Sequence, residues 1–128
     1  MRLLLDTHAF LWWLIDDKQL SQAARRAIAD EGNDVLVSAA TAWEIATKRR
    51  IGRLPEAEAL AGNMASTIAL EFFEELPISV DDASRAGALP GPLNDPFDRM
   101  LIAQALSRHL VLVSNETIFE RYGVRRMW

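Results

Sequence analysis

The 128-residue sequence contains no cysteine, two histidines and no long apolar run. The absence of cysteine excludes a disulfide framework, a thiolate zinc site and a cysteine nucleophile. Charged residues interrupt the apolar stretch near the N-terminus before it reaches signal-peptide length, and no run could span a membrane, so the expected compartment is the cytoplasm. Basic residues are not in excess either, because the formal charge is −4. A nucleic acid would therefore have to be bound through local basic patches or bound cations.

The composition indicates a single globular domain over residues 1–128, since half of the residues are hydrophobic. Short apolar runs predict strands over residues 2–6, 34–38, 75–80, 110–114 and 124–127. Helical patterns lie over residues 7–16, 20–31, 39–52, 55–73, 81–89 and 95–109, with one more short helix in the C-terminal tail. The strands alternate with helices and lack a period of two. This pattern predicts a three-layer α/β/α fold around a central, mainly parallel sheet.

Four segments of the predicted fold bring a carboxylate to one edge of the sheet. Ligands of an open parallel sheet bind outside the carboxyl ends of its strands. The four residues are Asp6 after the first strand, Glu44 in the helix after the second, Asp98 in the helix before the fourth, and Glu116 just after the fourth. We take them as candidate catalytic residues.

Each carboxylate also has a purely structural explanation. Asp6 could cap the first helix, a role about as probable for it as a functional one. Glu44 is spaced to pair with Lys48 one helical turn later. Asp95 is well explained as a helix cap before a proline, but Asp98 is a short substitute for the Glu or Gln of a capping box. Glu116, near a helix start, would interact favourably with the helix dipole.

A cluster of four carboxylates would repel unless a cation neutralised it. Oxygen ligands without histidine or cysteine favour Mg²⁺ or Mn²⁺. Two such ions would offset the formal charge of −4 and would allow an acidic protein to accept RNA, as in two-metal phosphoryl transfer.

The segments "LLLDTHAFLWWL", "SAATAWEIATKRRIGRL", "DPFDRMLIAQAL" and "LVSNETIFERYGV" resemble the PIN-domain ribonucleases, specifically the VapC-like toxins of bacterial toxin-antitoxin pairs, over nearly the whole chain. The resemblance implies a PIN-like domain that hydrolyses RNA with Mg²⁺ (or Mn²⁺), a cognate antitoxin and a homodimer. The family's acidic ligands fall on Asp6, Glu44, Asp98 and Glu116. Many members carry aspartate at the last position, so Glu116 either acts through water or matters less.

Three further residues are candidates for supporting the site or touching substrate: Thr7, Ser114 and Arg99. Arg99 could hold a phosphate of the RNA, or it could pair with Asp95 or Asp6. For the tryptophans we favour packing in the core or in a dimer over stacking on bases. They are Trp12, Trp13, Trp43 and Trp128.

Other functions fit less well. A phospho-acceptor receiver domain needs a lysine on its last strand, where this chain has Arg125 and Arg126. An aspartyl-nucleophile phosphatase needs a second aspartate where His8 stands. RNA cleavage by paired histidines is disfavoured because His109 precedes a strand and so lies at the opposite edge. The main alternative is a non-cleaving PIN-like module that binds RNA or a protein.

Overall fold

The computed structural model describes residues 1–60 and 63–128. Its sheet has five strands in the order β3-β2-β1-β4-β5, and every neighbouring pair is parallel. The strands are β1 (Arg2–Leu5), β2 (Asp34–Ser38), β3 (Glu74–Leu76), β4 (Val111–Val113) and β5 (Arg125–Met127). The chain moves outwards from β1 on one side, to β2 and β3, and later returns to the other side with β4. The order therefore reverses between β1 and β4, which is where such sheets open a crevice for ligands.

Within the described residues, six α-helices connect the strands. They are α1 (Thr7–Leu14), α2 (Gln22–Ala29), α3 (Ala39–Arg50), α4 (Met64–Leu70), α5 (Val80–Ala88) and α6 (Pro96–Arg108). Two short 3₁₀ helices cover Pro55–Ala59 and Thr117–Tyr122. None of the helices in the described ranges is long and apolar enough to cross a membrane.

Side-chain caps fix where several helices begin. The Ser21 hydroxyl accepts from Ala24 N at the start of α2. Asp95 accepts from the backbone N–H groups of Phe97 and Asp98 at the start of α6. These contacts satisfy N–H groups that have no partner within the helix. Capping thus fixes the residue at which α2 and α6 each begin.

The sheet carries an apolar layer on both faces, which explains why its strands lack a period of two. Leu3, Leu4 and Leu5 are all fully buried. Leu3 and Leu5 pack with buried side chains of α1 and α2 and with Ile45 of α3, whereas Leu4 packs in a cluster with Leu101 and Ile102 of α6. Burying each leucine contributes roughly 1.5–3 kcal/mol. The three-layer α/β/α prediction is confirmed.

Two predicted elements differ from the structure. The strand predicted over residues 75–80 ends at Leu76, because Pro77 has no N–H and Ser79 caps α5 in a reciprocal box with Asp82. The single helix predicted over 55–73 is divided into a 3₁₀ helix and α4, where Asn63 caps the second piece. Residues 61 and 62 of that prediction lie outside the described part of the chain.

Candidate active site

The candidate site lies where β1 and β4 end beside one another. The backbone N–H of Asp6 donates to the carbonyl of Val113 at 3.1 Å, so the two strands leave the sheet together. Asp6 then begins α1, and Ser114 leads towards the second 3₁₀ helix. The topology thus delivers two of the predicted segments to the reversal point of the sheet.

Asp6 is a helix cap, and it also belongs to the acidic cluster. One carboxylate oxygen accepts from Ala9 N at 2.8 Å, while the residue is only 6% exposed. Burial raises the pKa of Asp6 to about 6, and the negative charge of Glu116 adds to the rise, against the lowering effect of Ser114 and of the Ala9 N–H. Asp6 can therefore cap α1 and still belong to the candidate site. Only one of its oxygens accepts from Ala9 N, and burial continues to disfavour the ionised carboxylate.

Asp98 is the most perturbed carboxyl group of the cluster. Burial raises its pKa to about 8, and the charges of Asp95, Glu116, Glu44 and Asp6 all act in the same direction. The predicted ligands therefore lie close enough to influence one another. The structure adds Asp95, for which the sequence indicated only a capping role. Its spacing of three residues before Asp98, less than one helical turn, was the available signal.

Glu44 reaches the same region from α3, where its side chain is almost fully buried. The Thr7 hydroxyl donates to Glu44 Oε1, and the Lys48 ammonium donates to Glu44 Oε2. The predicted pairing with Lys48 is thus present, and it lies inside the cluster rather than on a solvated surface. Partial burial opposes the charged form of Lys48, but the hydrogen bond from Lys48 to Glu44 and the charges of Glu44, Asp95 and Asp98 raise its pKa overall.

Glu116 is the outermost of the four predicted carboxylates. Its residue is exposed, and its backbone N–H donates to the Ser114 hydroxyl at 3.0 Å. Ser114 itself is fully buried and lowers the pKa of Asp6. Ser114 therefore links the Asp6 carboxylate to the backbone of Glu116. Glu116 lies exposed at the rim of the site, and its charge still raises the pKa of Asp98.

Arg99 has neither of the two partners considered from the sequence. Its guanidinium donates to the carbonyl oxygens of Ala86, Leu93, Gly87 and Leu89. The group thus ties the connection between α5 and α6 to the first turn of α6. Arg99 supports the loop next to the site and does not pair with Asp95 or Asp6.

The tryptophans divide into two groups. Trp12 is buried and meets the ring of Trp128 edge to face at 5.9 Å. Trp43, by contrast, is 59% exposed and contacts Phe97 edge to face with ring centroids 4.9 Å apart. Core packing therefore accounts for the first pair and not for Trp43. His109 ends α6 in the left-handed conformation. It precedes β4 and so lies at the opposite edge of the sheet, as expected from the sequence.

The donor set matches a hard divalent cation in its chemistry, because buried carboxylates with raised pKa values gain from a nearby positive charge. In the side-chain arrangement of the described residues, no three acidic or histidine groups are placed to hold a metal ion together. Both oxygens of Glu44 already accept hydrogen bonds, one from Thr7 and one from Lys48.

The fold is a parallel α/β/α domain whose carboxylates lie where the strand order of the sheet reverses. This combination defines a class of domains with an acidic candidate active site. Within that class, the chain belongs to the PIN-domain family, whose model matches residues 3–125.

Comparisons with individual proteins agree with this assignment. The chain is 32% identical over 115 residues to Ribonuclease VapC22 of Mycobacterium tuberculosis (strain ATCC 25618 / H37Rv), covering 88% of this chain and 85% of that protein. The structure of VapBC2 from Rickettsia felis, bound to a DNA fragment from its promoter, matches with a TM-score of 0.68 at 15% identity, over 99% of this chain and 98% of that one. A toxin-antitoxin complex from Klebsiella pneumoniae matches with a TM-score of 0.55 at 21% identity, over 89% and 86% of the two chains.

The resemblance read from the sequence is confirmed at the level of the family, and the structural neighbours confirm the fold. The individual roles of Asp6, Glu44, Asp98 and Glu116 stay predictions. What the structure adds is their mutual proximity, which their effects on the pKa of Asp98 require.

Proposed function

We propose that this chain is a metal-dependent endoribonuclease that acts as the toxin of a toxin-antitoxin pair. It hydrolyses RNA phosphodiesters with water and uses Mg²⁺ or Mn²⁺. The observation that carries this proposal is the buried acidic cluster at the β1–β4 crevice, where burial and neighbouring charges raise the pKa of Asp6 to about 6 and that of Asp98 to about 8. Such a cluster is costly in a protein that does not bind a cation there. The sequence identity of 32% to Ribonuclease VapC22 over most of the chain supports the same reaction.

Four side chains would hold the cation: Asp6, Glu44, Asp98 and Glu116. A bound divalent cation supplies an activated water at neutral pH and offsets the charge that develops on the phosphate. The chain contributes the orientation of the ligands. Ala9 N fixes one oxygen of Asp6, Ser114 supports the same carboxylate, and Thr7 holds Oε1 of Glu44. These contacts limit the freedom of the ligands before substrate arrives.

The partners follow from the same assignment. An antitoxin would cover the toxin, as the toxin-antitoxin complex among the structural neighbours suggests. We also propose a homodimer, to which the exposed Trp43 is suited. The RNA would approach the acidic cluster with its phosphates near basic residues such as Arg49 in the last turn of α3 and Arg53 just after that helix.

A cleavage assay tests the reaction. The purified chain, free of any partner, is incubated with total RNA and with structured RNAs in Mg²⁺, in Mn²⁺ and in EDTA. We expect cutting that needs the metal and that is lost in Asp6→Asn and Asp98→Asn. Asp81→Asn is the matched control, because Asp81 is an exposed carboxylate that pairs with Arg85 on α5.

A second candidate is a PIN-like module that binds RNA or a protein without cutting. The exposed position of Glu116 favours it, as does the engagement of both oxygens of Glu44. Tight RNA binding with no cleavage in either metal would support this module and refute the nuclease.

A further inference from the structure

Lys48 pairs with Glu44, one of the four proposed cation ligands. Its ammonium donates to Oε2 of Glu44, and the Thr7 hydroxyl donates to Oε1. Both oxygens of this buried carboxylate are therefore engaged. The Glu44 side chain is 6% exposed and the Lys48 side chain 29%, so the carboxylate is buried while the lysine is partly accessible to solvent.

The charges around Lys48 identify it as the counterion of more than one carboxylate. Besides Glu44, the negative charge of Asp95 acts on its ammonium, and so does that of Asp98 when this carboxyl group is ionised. Arg99, which follows Asp98 in the sequence, is bound instead to backbone carbonyl groups. A lysine is suited to exchange, because its ammonium is a compact point charge on a flexible stem, whereas an arginine would form a planar, two-point contact with the carboxylate.

We propose that Lys48 is the resident counterion of the acidic cluster, and that a divalent cation reaches Glu44 only by displacing the Lys48 ammonium. The inference rests on the proposed function, because it takes the cluster as the cation site. It explains why the described carboxylates are clustered without being arranged as a ready metal site. It also gives Lys48 a second position, at the solvent side of the crevice, once the cation is bound.

Mn²⁺ binding to the purified full chain, measured by electron paramagnetic resonance without RNA, tests the displacement. Lys48→Met removes the competing charge and keeps an unbranched stem of similar length. We expect it to bind Mn²⁺ about tenfold more tightly than the wild type, because a nearby positive charge no longer opposes the ion. Lys48→Arg keeps the charge and should bind no more tightly than the wild type.

Arg50→Met is the matched control for a general change in charge, since Arg50 is exposed and lies two residues further along α3. We expect its Mn²⁺ affinity to stay within about twofold of the wild type. Thermal unfolding supplies a second readout, because tighter binding gives a larger Mn²⁺-induced rise in the melting temperature of Lys48→Met. Lys48→Gln repeats the test if the methionine variant does not fold.

Three results would overturn the inference. One is an unchanged Mn²⁺ affinity in Lys48→Met, and another is a weaker one, which would mean that Lys48 helps to place Glu44 for the metal. If cleavage of RNA is still metal-dependent in either case, the proposed function stands and only the role of Lys48 fails. Absence of Mn²⁺ binding in both the wild type and Lys48→Met would refute the displacement of Lys48 and the metal-dependent nuclease together.

Discussion

Asp98→Asn should stabilise the metal-free protein at neutral pH although it removes a proposed ligand. In the unfolded chain Asp98 ionises near its ordinary pKa of 3.8, whereas in the fold burial and the neighbouring carboxylates raise that pKa to about 8. At pH 7 the carboxyl group is therefore ionised when the chain is unfolded and mostly protonated when it is folded. Ionisation favours the unfolded chain by about 4 kcal/mol. Asparagine cannot ionise, so the variant is free of this cost.

The pH dependence gives the sign of the effect. A carboxyl group whose pKa is raised by folding binds its proton more tightly in the native state, so stability falls as pH rises from about 4 towards 8. We expect Asp98→Asn to exceed the wild type by about 4 kcal/mol in free energy of unfolding at pH 7, and by less than about 1 kcal/mol near pH 4. With Mn²⁺ the order should reverse or narrow, because the cation stabilises the ionised wild-type cluster.

Urea unfolding in EDTA, followed by circular dichroism at the two pH values, measures this difference. Asp81→Asn controls for the change of an aspartate to an amide, because Asp81 lies outside the cluster and its side chain is 69% exposed. A surface pair of this kind contributes about 0–1 kcal/mol. Destabilisation by Asp98→Asn at pH 7, or an effect of equal size at both pH values, would refute the view that burial and neighbouring carboxylates disfavour the ionised form of Asp98.

Two further predictions concern the contacts that α6 makes with α5 and with the loop between the two helices. Asp82→Asn should lower the free energy of unfolding by about 3 kcal/mol, because it leaves Arg108 without the buried carboxylate that it contacts at 2.8 and 2.9 Å. Hydrogen bonds from Arg108 hold the pKa of Asp82 well below its ordinary range, so its contribution is present above about pH 4 and the difference from wild type should narrow in acid; a loss independent of pH would contradict this. Arg99→Met should lower the free energy of unfolding by about 2 kcal/mol and speed amide hydrogen exchange across residues 86–93, because Arg99 contacts the carbonyl groups of Ala86, Leu89 and Leu93 in this segment. Unchanged exchange there, with β1 as the internal reference, would show that the loop does not depend on Arg99.

Local chemistry made much of the fold predictable. The apolar runs of β1 and β4 contain polar residues only at their ends. The capping residues Ser21 and Asp95 mark where α2 and α6 begin. Prediction failed where the pattern was ambiguous. The apolar letters around Pro77 read as a strand, but the missing N–H and the reciprocal cap of Ser79 make that segment the entry to α5.

The sequence by itself determined the family, the alternation of strands and helices, and which carboxylates follow the strands, because these depend on residue type and spacing along the chain. Tertiary structure alone decided what each charge meets. It placed Lys48 among three carboxylates, gave Arg99 to the backbone of a loop, and left Glu116 at the rim. Such outcomes depend on which helices pack over the β1–β4 crevice and how deeply each side chain is buried. Spacing along the chain carries no measure of either.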